Sequence, residues 1–511
     1  MSSQDHPDNG AHTTADPNPP NNRYGGDLTR DALGVRVFRQ TTAYAGLRTI
    51  ASLSTLVSYA FLVRILDRHE IGVFEVGMAY VGFGFLIGEG GLAAALVRKR
   101  EEVTQHEYRV VFTTLIAATS LLAVAYLTTA DWIGRVNHFT EKETVVLRFL
   151  APILLLRAFP VVPRARMQRD LRFDLVGLVE LFSTLARNIT AVVASIFLGG
   201  SWALVAAALA QAVTAVVVSY LLSPGWVGLA FRFSTFQGLI RFGGQVQGTN
   251  LLHYVRENIV VAILGPALGP SAVALYRFAY TYARIPSDAI GSLARVHFRM
   301  YAMCDPGSPQ LGSAIRTALR GSTLVGAAIL GVTTASADWL IPIIYGDKWI
   351  PAIPIVWGLL PHVLADIAMS QMVAMAQGQG KPSKAILFYA VWSSTTWACS
   401  LAAVSFEHNL AWVGIAQSVA TVLAAIVAIT WVNRQAQSNV AASLLRPSLI
   451  IASGFIAVLA LPIESLATWL RALVGVVTYF LVAGLIGLVI DGPAIGVDLK
   501  GAIHALGRRK T

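Results

Sequence analysis

The chain has 511 residues, 55% of them hydrophobic and only 13% charged, with a mean hydropathy of +0.61. A soluble domain carries about 25% charged residues, so this composition cannot cover a chain of such length with a water-facing surface and places it in a bilayer. The net charge of +11 then belongs to cytoplasmic loops rather than to a nucleic-acid site. Cys304 and Cys399, 95 residues apart, match no metal-ligand or disulfide spacing, which excludes a cysteine-stapled secreted domain and a thiolate metal site.

Residues 1–35 are mostly Pro, Asn, Asp, Gly and other polar types with almost nothing to bury, and are expected to form a disordered cytoplasmic tail. No basic segment leads into a short apolar run there, so no signal peptide is expected. His6 and His12 lie in that tail with Asp5 and Asp8 and read as solvated residues, not as a metal site.

Apolar runs of about 18 residues or more mark candidate spans. Fourteen are read, at 41–64, 71–97, 110–130, 145–163, 175–198, 202–222, 239–264, 273–295, 317–345, 350–376, 385–406, 411–433, 447–463 and 469–490. The expectation is an all-α integral membrane protein of about 14 transmembrane helices. A six-helix bundle occupies 36–222, a cytoplasmic linker 223–238 and a second six-helix bundle 239–433. Two additional helices follow at 434–490, then a basic cytoplasmic tail at 491–511. The longest outer loop, around 131–144, is too short to hold a catalytic domain.

Lys and Arg set the orientation. Of 39 such residues, 26 fall in the two tails and one alternate set of loops, and six (Arg64, Arg68, Arg135, Lys142, Lys348 and Arg471) in the other. The basic set is cytoplasmic by the positive-inside rule, which puts both termini inside. Trp132, Trp202, Trp339, Trp349, Trp412 and Trp469 then fall at outer boundaries, as an aromatic belt would.

The segment 61–80 has a faint echo at 259–280. Ile65 and Leu66 line up with Ile263 and Leu264, and Gly46 with Gly244, at an offset of 198; Phe74 lines up with Tyr276 at 202. Six spans separate the copies, so the two bundles form a parallel pseudo-repeat about an axis along the membrane normal.

The seven cations left within spans are all arginine: Arg48, Arg148, Arg157, Arg187, Arg256, Arg277 and Arg284. A charge near the bilayer centre costs about 2.5–3.5 kcal/mol on insertion scales, so such residues face a cavity or a partner. Arginine keeps its proton when desolvated and presents a planar fork suited to phosphate or carboxylate. This points to a permanent cationic cavity for an anionic ligand, with Arg48, Arg256, Arg284 and Arg187 as candidate substrate-binding residues. Simpler readings stand beside it. Arg284 can pair with Asp288 at i,i+4, Arg187 can be neutralised by Glu180 two turns away, and Arg148, Arg157 and Arg277 can snorkel from near span ends. Arg256 and Glu257, at i,i+1, are expected to point apart. In the seventh span, Gln247, Asn250 and His253 are read as cavity-lining polar residues, against the alternative of close packing through small residues. The embedded acids are Glu75, Glu89, Glu180, Glu257, Asp288 and Asp366, with Glu89, Glu257, Asp288 and Asp366 as candidate coupling acids and nothing local to choose among them. No metal site and no cofactor are expected.

Four stretches carry a family resemblance: LVRILDRHEIGVFEVGMAYVGFGFLIGEGGLAAALVRKREEVTQHEY (62–108), QRDLRFDLVGLVEL (168–181), WALVAAALAQAV (202–213), and RFGGQVQGTNLLHYVREN (241–258) with LGPSAVALYRFAYTYARIP (268–286). In this order, over about residues 36–490, the chain resembles the polysaccharide transporter branch of the multidrug/oligosaccharidyl-lipid/polysaccharide flippase superfamily. The resemblance implies a V-shaped pair of six-helix bundles around a cationic cavity in a bacterial plasma (inner) membrane. It implies that an undecaprenyl-diphosphate-linked oligosaccharide is flipped from the cytoplasmic to the outer leaflet by alternating access, with a polysaccharide polymerase and copolymerase as partners. It places Arg48, Arg256 and Arg284 where relatives have implicated residues. Many relatives carry an acid near position 260 and a base near 266, where this chain has Val260 and Pro266. Alternatives are a lipid II flippase, a drug/cation exporter of the same fold, and a polyprenyl-dependent membrane enzyme. Only Asp67 and Glu70 in an outer loop invite the enzyme reading, and they read better as ending a helix.

Overall fold

The computed structural model of the protein describes residues 30–486 except 100, 226–227, 407–408, 437–438, 460–469 and 471–473. His6, His12 and the expected C-terminal tail lie outside the described residues. Among those described, every regular element is helical. The first half comprises α1 (Arg30–Ile65), α2 (Arg68–Glu89), α3 (Leu92–Arg98), α4 (Gln105–Val136), α5 (Glu141–Ala158), α6 (Val161–Arg169), α7 (Phe173–Phe197) and α8 (Gly200–Leu222). The second half comprises α9 (Phe233–Leu268), α10 (Pro270–Ala283), α11 (Ile285–Ala302), α12 (Pro309–Ala335), α13 (Ala337–Leu340), α14 (Ile353–Gly358), α15 (Leu360–Gly378), α16 (Pro382–Phe406), α17 (Leu410–Ala436) and α18 (Ala441–Leu459). A π turn, Ile341–Tyr345, and a 3₁₀ turn, Asp347–Ala352, link α13 to α14.

Among the described residues, ten helical stretches are long and apolar enough to cross a membrane, and the bent pair Asp347–Gly358 and Leu360–Gly378 makes an eleventh. Two causes separate this number from the fourteen expected. The span expected at 273–295 is divided between α10 and α11 at Arg284, because Pro286 in the first turn of α11 has no N–H to continue the ladder. The spans expected at 447–463 and 469–490 fall partly outside the described residues. α1 begins at Arg30, inside the stretch read as a tail.

α7 packs along α1 and α8, while α2 packs against α4, α5 and α8 on one side and α9 and α10 on the other. Glycines allow the second contact. A Cβ on Gly72 would meet the backbone of Pro270, one on Gly82 the Tyr254 side chain, and one on Gly91 the backbone of Gly243. Small residues at such points let helix backbones approach closely. α2 therefore runs as a seam between the halves, touching the second half at both ends and in the middle.

Asp67 and Glu70 start α2 rather than end a helix. Asp67 accepts from the His69 N–H at 3.3 Å, and Glu70 accepts from the Asp67 N–H at 3.1 Å, a reciprocal cap. At the same end, Lys348 Nζ donates to the carbonyls of Arg64 at 3.1 Å and Leu66 at 2.5 Å, finishing α1 from the second half. Trp349 Nε1 donates to the Val63 carbonyl at 2.9 Å, and its ring stacks on Phe278 at 4.5 Å. Trp349 is fully buried, which corrects its expected place in an aromatic belt: it clamps the two halves together. Trp132, Trp202 and Trp412 are exposed. At the opposite, arginine-rich end, Arg169 donates to the carbonyls of Leu96 (2.7 Å), Lys99 (2.8 Å) and Glu101 (2.9 Å) and so terminates α3.

Candidate functional site

Among the described residues, a dense group of charges lies where α2 meets α9 and α10. Glu257 on α9 is the hub. Its carboxylate pairs with Arg256 and with Arg284, the latter at 2.5 Å, and accepts from the Tyr280 hydroxyl at 3.2 Å. Arg256 is 5% exposed, lies 3.8 Å from Asp366 of α15 and stacks over the Trp392 ring of α16 at 3.9 Å. Arg277 on α10 reaches across to Glu75 of α2 at 3.2 Å, and donates to the Asn258 side chain and the Glu257 carbonyl. Three arginines thus face three carboxylates in a half-buried network, as the cost of an unpaired charge at such depth requires.

The first half contributes a more polar and less compensated seam between α1 and α7. Arg187 donates to Thr55 Oγ1 at 3.3 Å and to Asn188 at 3.4 Å. Asn188 in turn donates to Ser54 and Thr55. Glu180, the acid expected to neutralise Arg187, accepts instead from Tyr44 of α1 at 3.1 Å. Arg48 is exposed, one turn along α1 from the same tyrosine. Among the described residues, no group of three or more His, Cys, Asp or Glu could hold a metal ion.

The polysaccharide biosynthesis protein family matches residues 61–354, more than half of the chain. The chain belongs to that family. It is 25% identical over 315 residues to the lipopolysaccharide biosynthesis protein WzxC of Escherichia coli K12, a match covering 59% of this chain and 61% of that relative. The chain therefore spans less than two thirds of the length of WzxC. It is 23% identical to the succinoglycan biosynthesis transport protein ExoT of Rhizobium meliloti, over 75% of this chain and 77% of the relative. Among solved structures, the lipid II flippase MurJ in an inward closed conformation superposes with a TM-score of 0.68 at 10% identity, covering 88% of this chain and 99% of that one. A point mutant of a MATE protein gives 0.53 at 16% identity, covering 80% and 96%. At these identities the likeness is one of fold: this member of the polysaccharide biosynthesis family is an all-α, multi-pass bacterial membrane protein.

Within this family member the expected residues separate into three groups. Arg256, Arg284, Glu257 and Asp366 come together in the cluster. Arg256 and Glu257 pair although they are adjacent, because the long arginine side chain folds back to the neighbouring carboxylate, which corrects the expectation that they point apart. Arg284 meets Glu257; the side chain of Asp288, its expected partner, lies outside the described residues. Arg48 and Arg187 sit on the α1–α7 seam, outside this network of pairs. Asn250 keeps an exposed side chain, whereas His253 edges the cluster, its Nδ1 3.5 Å from Arg256 and its ring against Tyr389 at 5.5 Å. Gln247 donates to the Leu86 carbonyl of α2, a contact between the halves. Glu89 faces away from the cluster, into a pocket of the first half.

One pairing escaped the sequence reading. Arg277, read as snorkelling, is one pole of the ion pair between the halves, and Glu75, read only as an embedded acid, is the other. The signal for them was present: they are 202 positions apart, the offset at which Phe74 lines up with Tyr276. Arg148, also read as snorkelling, pairs with Asp131 at 2.7 Å on the exposed surface. Arg157, also read as snorkelling, lines the same pocket as Glu89.

Proposed function

We propose that the protein is a flippase that moves a polyprenyl-diphosphate-linked oligosaccharide from the cytoplasmic to the outer leaflet of the bacterial inner membrane. Two six-helix bundles, 36–222 and 239–433, rock about the α2 seam, with both termini cytoplasmic. The observation that carries this reading is the cluster at the junction of the halves, whose permanently charged cations are all arginine. A guanidinium held by a carboxylate can exchange it for a phosphate oxygen without changing its own protonation. The diphosphate, which cannot cross hydrocarbon unaided, replaces its water with these donors while the lipid tail stays in the bilayer. Basic loops at the entry side draw the anionic headgroup in. The names of WzxC and ExoT, which refer to polysaccharide biosynthesis and transport, support the same cargo class. A polymerase and copolymerase would receive the units on the far side. The protein acts as a transporter, with no catalytic role assigned to any residue.

The test is the leaflet distribution of lipid-linked oligosaccharides in a deletion strain. Complete repeat units accumulating on the cytoplasmic side, relieved by the intact gene, are the expected result. Truncated units would point to an enzyme, and no change in any polyprenyl-linked glycan to a drug exporter; either outcome overturns the proposal.

A further inference from the structure

We propose that the first half holds a second anion site, separate from the cluster: a pocket between α2, α5–α6, α7 and α8 that takes the phosphate groups of a lipid headgroup at the arginine-rich end of the protein. The cavity has a volume of about 420 Å³, within the range of about 300–1,000 Å³ usual for small-ligand sites. Arg157, Arg164 and Gln168 face it. Their spacing of seven and four residues puts them on one stripe of the helical path through α5 and α6. Opposite them α8 presents Ala208, Gln211, Ala212 and Ala215, at i, i+3, i+4 and i+7. Three methyl side chains on that face are what leaves the space unfilled.

The arginines of this pocket differ from those of the cluster in having nothing to hold. Among the described residues neither Arg157 nor Arg164 forms a hydrogen bond or a salt bridge, and Arg164 Nε is buried without a partner. The two guanidiniums bring like charges into one pocket. The acid whose charge reaches Arg164 is Glu180, already engaged by Tyr44. Glu89 shares the pocket, but among the described residues no salt bridge joins it to either arginine. The neighbouring Arg166 and Arg169 are used otherwise, against Gln105 and the end of α3. Two unpaired, mutually repelling arginines call for a ligand with more than one negative charge and several acceptor oxygens, which a phosphate or diphosphate supplies and a single carboxylate does not. The pocket lies near the end of the spans that leads into the basic loops, the end a lipid headgroup would reach first. That the lipid is the polyprenyl diphosphate cargo, captured here before transfer to the cluster, rests on the flippase reading; that the pocket binds phosphate does not.

The test uses the purified full chain in nanodiscs, with pyrophosphate, undecaprenyl diphosphate and phosphatidylglycerol as probes and undecaprenol as the uncharged control. The variant R157Q/R164Q should weaken pyrophosphate binding at least tenfold, R157K/R164K should be intermediate, and Arg148→Gln, on the exposed surface, should stay within twofold of wild type. Ala212→Phe fills the pocket from α8 without touching a charge and should abolish binding as well. Preference for undecaprenyl diphosphate over phosphatidylglycerol supports the site with the cargo as its source, and the reverse preference supports it with a membrane phospholipid as its source. Wild-type pyrophosphate binding in both R157Q/R164Q and Ala212→Phe overturns the proposal. Pyrophosphate binding that depends on the pocket, in a protein whose deletion leaves lipid-linked glycans unchanged, would sink the flippase reading while this site stands.

Discussion

Glu257→Gln probes whether carboxylates hold the cluster together. Glu257 sits between Arg256 and Arg284, whose side chains are 4% and 27% exposed, and also takes the Tyr280 hydroxyl. Removing one partner of a buried pair costs about 3–5 kcal/mol, because the remaining charge stays buried without compensation. Arg256 keeps Asp366 at 3.8 Å and the Trp392 face at 3.9 Å, and Arg284 is the more exposed of the two. The lower end, about 3 kcal/mol, is therefore expected. Arg284→Gln should cost less, since the carboxylate it leaves behind still has Arg256. The double variant E257Q/R284Q should lose less than the sum of the two single variants, by a coupling energy of about 1–2 kcal/mol in a double-mutant cycle. The assay is reversible unfolding of the four proteins in one detergent, with membrane insertion checked separately. A Glu257→Gln variant as stable as wild type, with coupling below about 0.5 kcal/mol, would refute the idea that this carboxylate neutralises the buried arginines.

Three further outcomes are expected. Gly243→Val places a side chain against the backbone of Gly91 only when the arginine-rich end is closed, at a cost of about 1–3 kcal/mol. The open form should gain roughly 5–150-fold, read as a longer spin-label distance between α3 and α9; an unchanged distance distribution counts against the seam. Trp349→Ala removes a fully buried ring and the bond to Val63, and should cost about 3–5 kcal/mol in unfolding experiments; a loss below about 1 kcal/mol would show that the clamp is slack. Glu75→Arg and Arg277→Glu should each impair export severely, and the combined swap should restore much of it; a double variant no better than either single one would argue against a direct pair.

The membrane class and all-α fold were legible because hydropathy is a property of single segments. A helix that must bury its own backbone polarity in lipid announces itself without its neighbours. What failed was partner choice. Composition says that an intramembrane arginine needs an acid, and six embedded acids were available, but sequence spacing offers only partners on the same helix. Arg187 was matched to Glu180 because two turns bring them near, yet Tyr44 of α1 takes that carboxylate. Trp349 was assigned to the lipid boundary because it lies near the end of a span, while the 3₁₀ turn that carries it folds inward against Phe278. The pocket holding Arg157 and Arg164 was invisible for the same reason: it needs the alanine face of α8, which reads in isolation as ordinary close packing.

Glu75 and Arg277 show how much further the sequence could have been taken. In an assembly of two similar halves related by a two-fold axis, a residue far from the axis meets a non-equivalent residue of the other half, whereas one beside the axis meets its own counterpart. Glu75 and Arg277 lie 202 positions apart, the offset of the Phe74 and Tyr276 alignment, and they touch at 3.2 Å. On the repeat expected from the sequence, this pair sits at the axis. A homodimer cannot place opposite charges at such a point, because both copies carry the same residue. Two halves of one chain can, and divergence of one copy to acid and the other to base turns an on-axis repulsion into the ion pair that joins them. An alignment of weakly similar halves thus carries contact information at axis positions alone, and there a charge reversal between copies is the feature to look for.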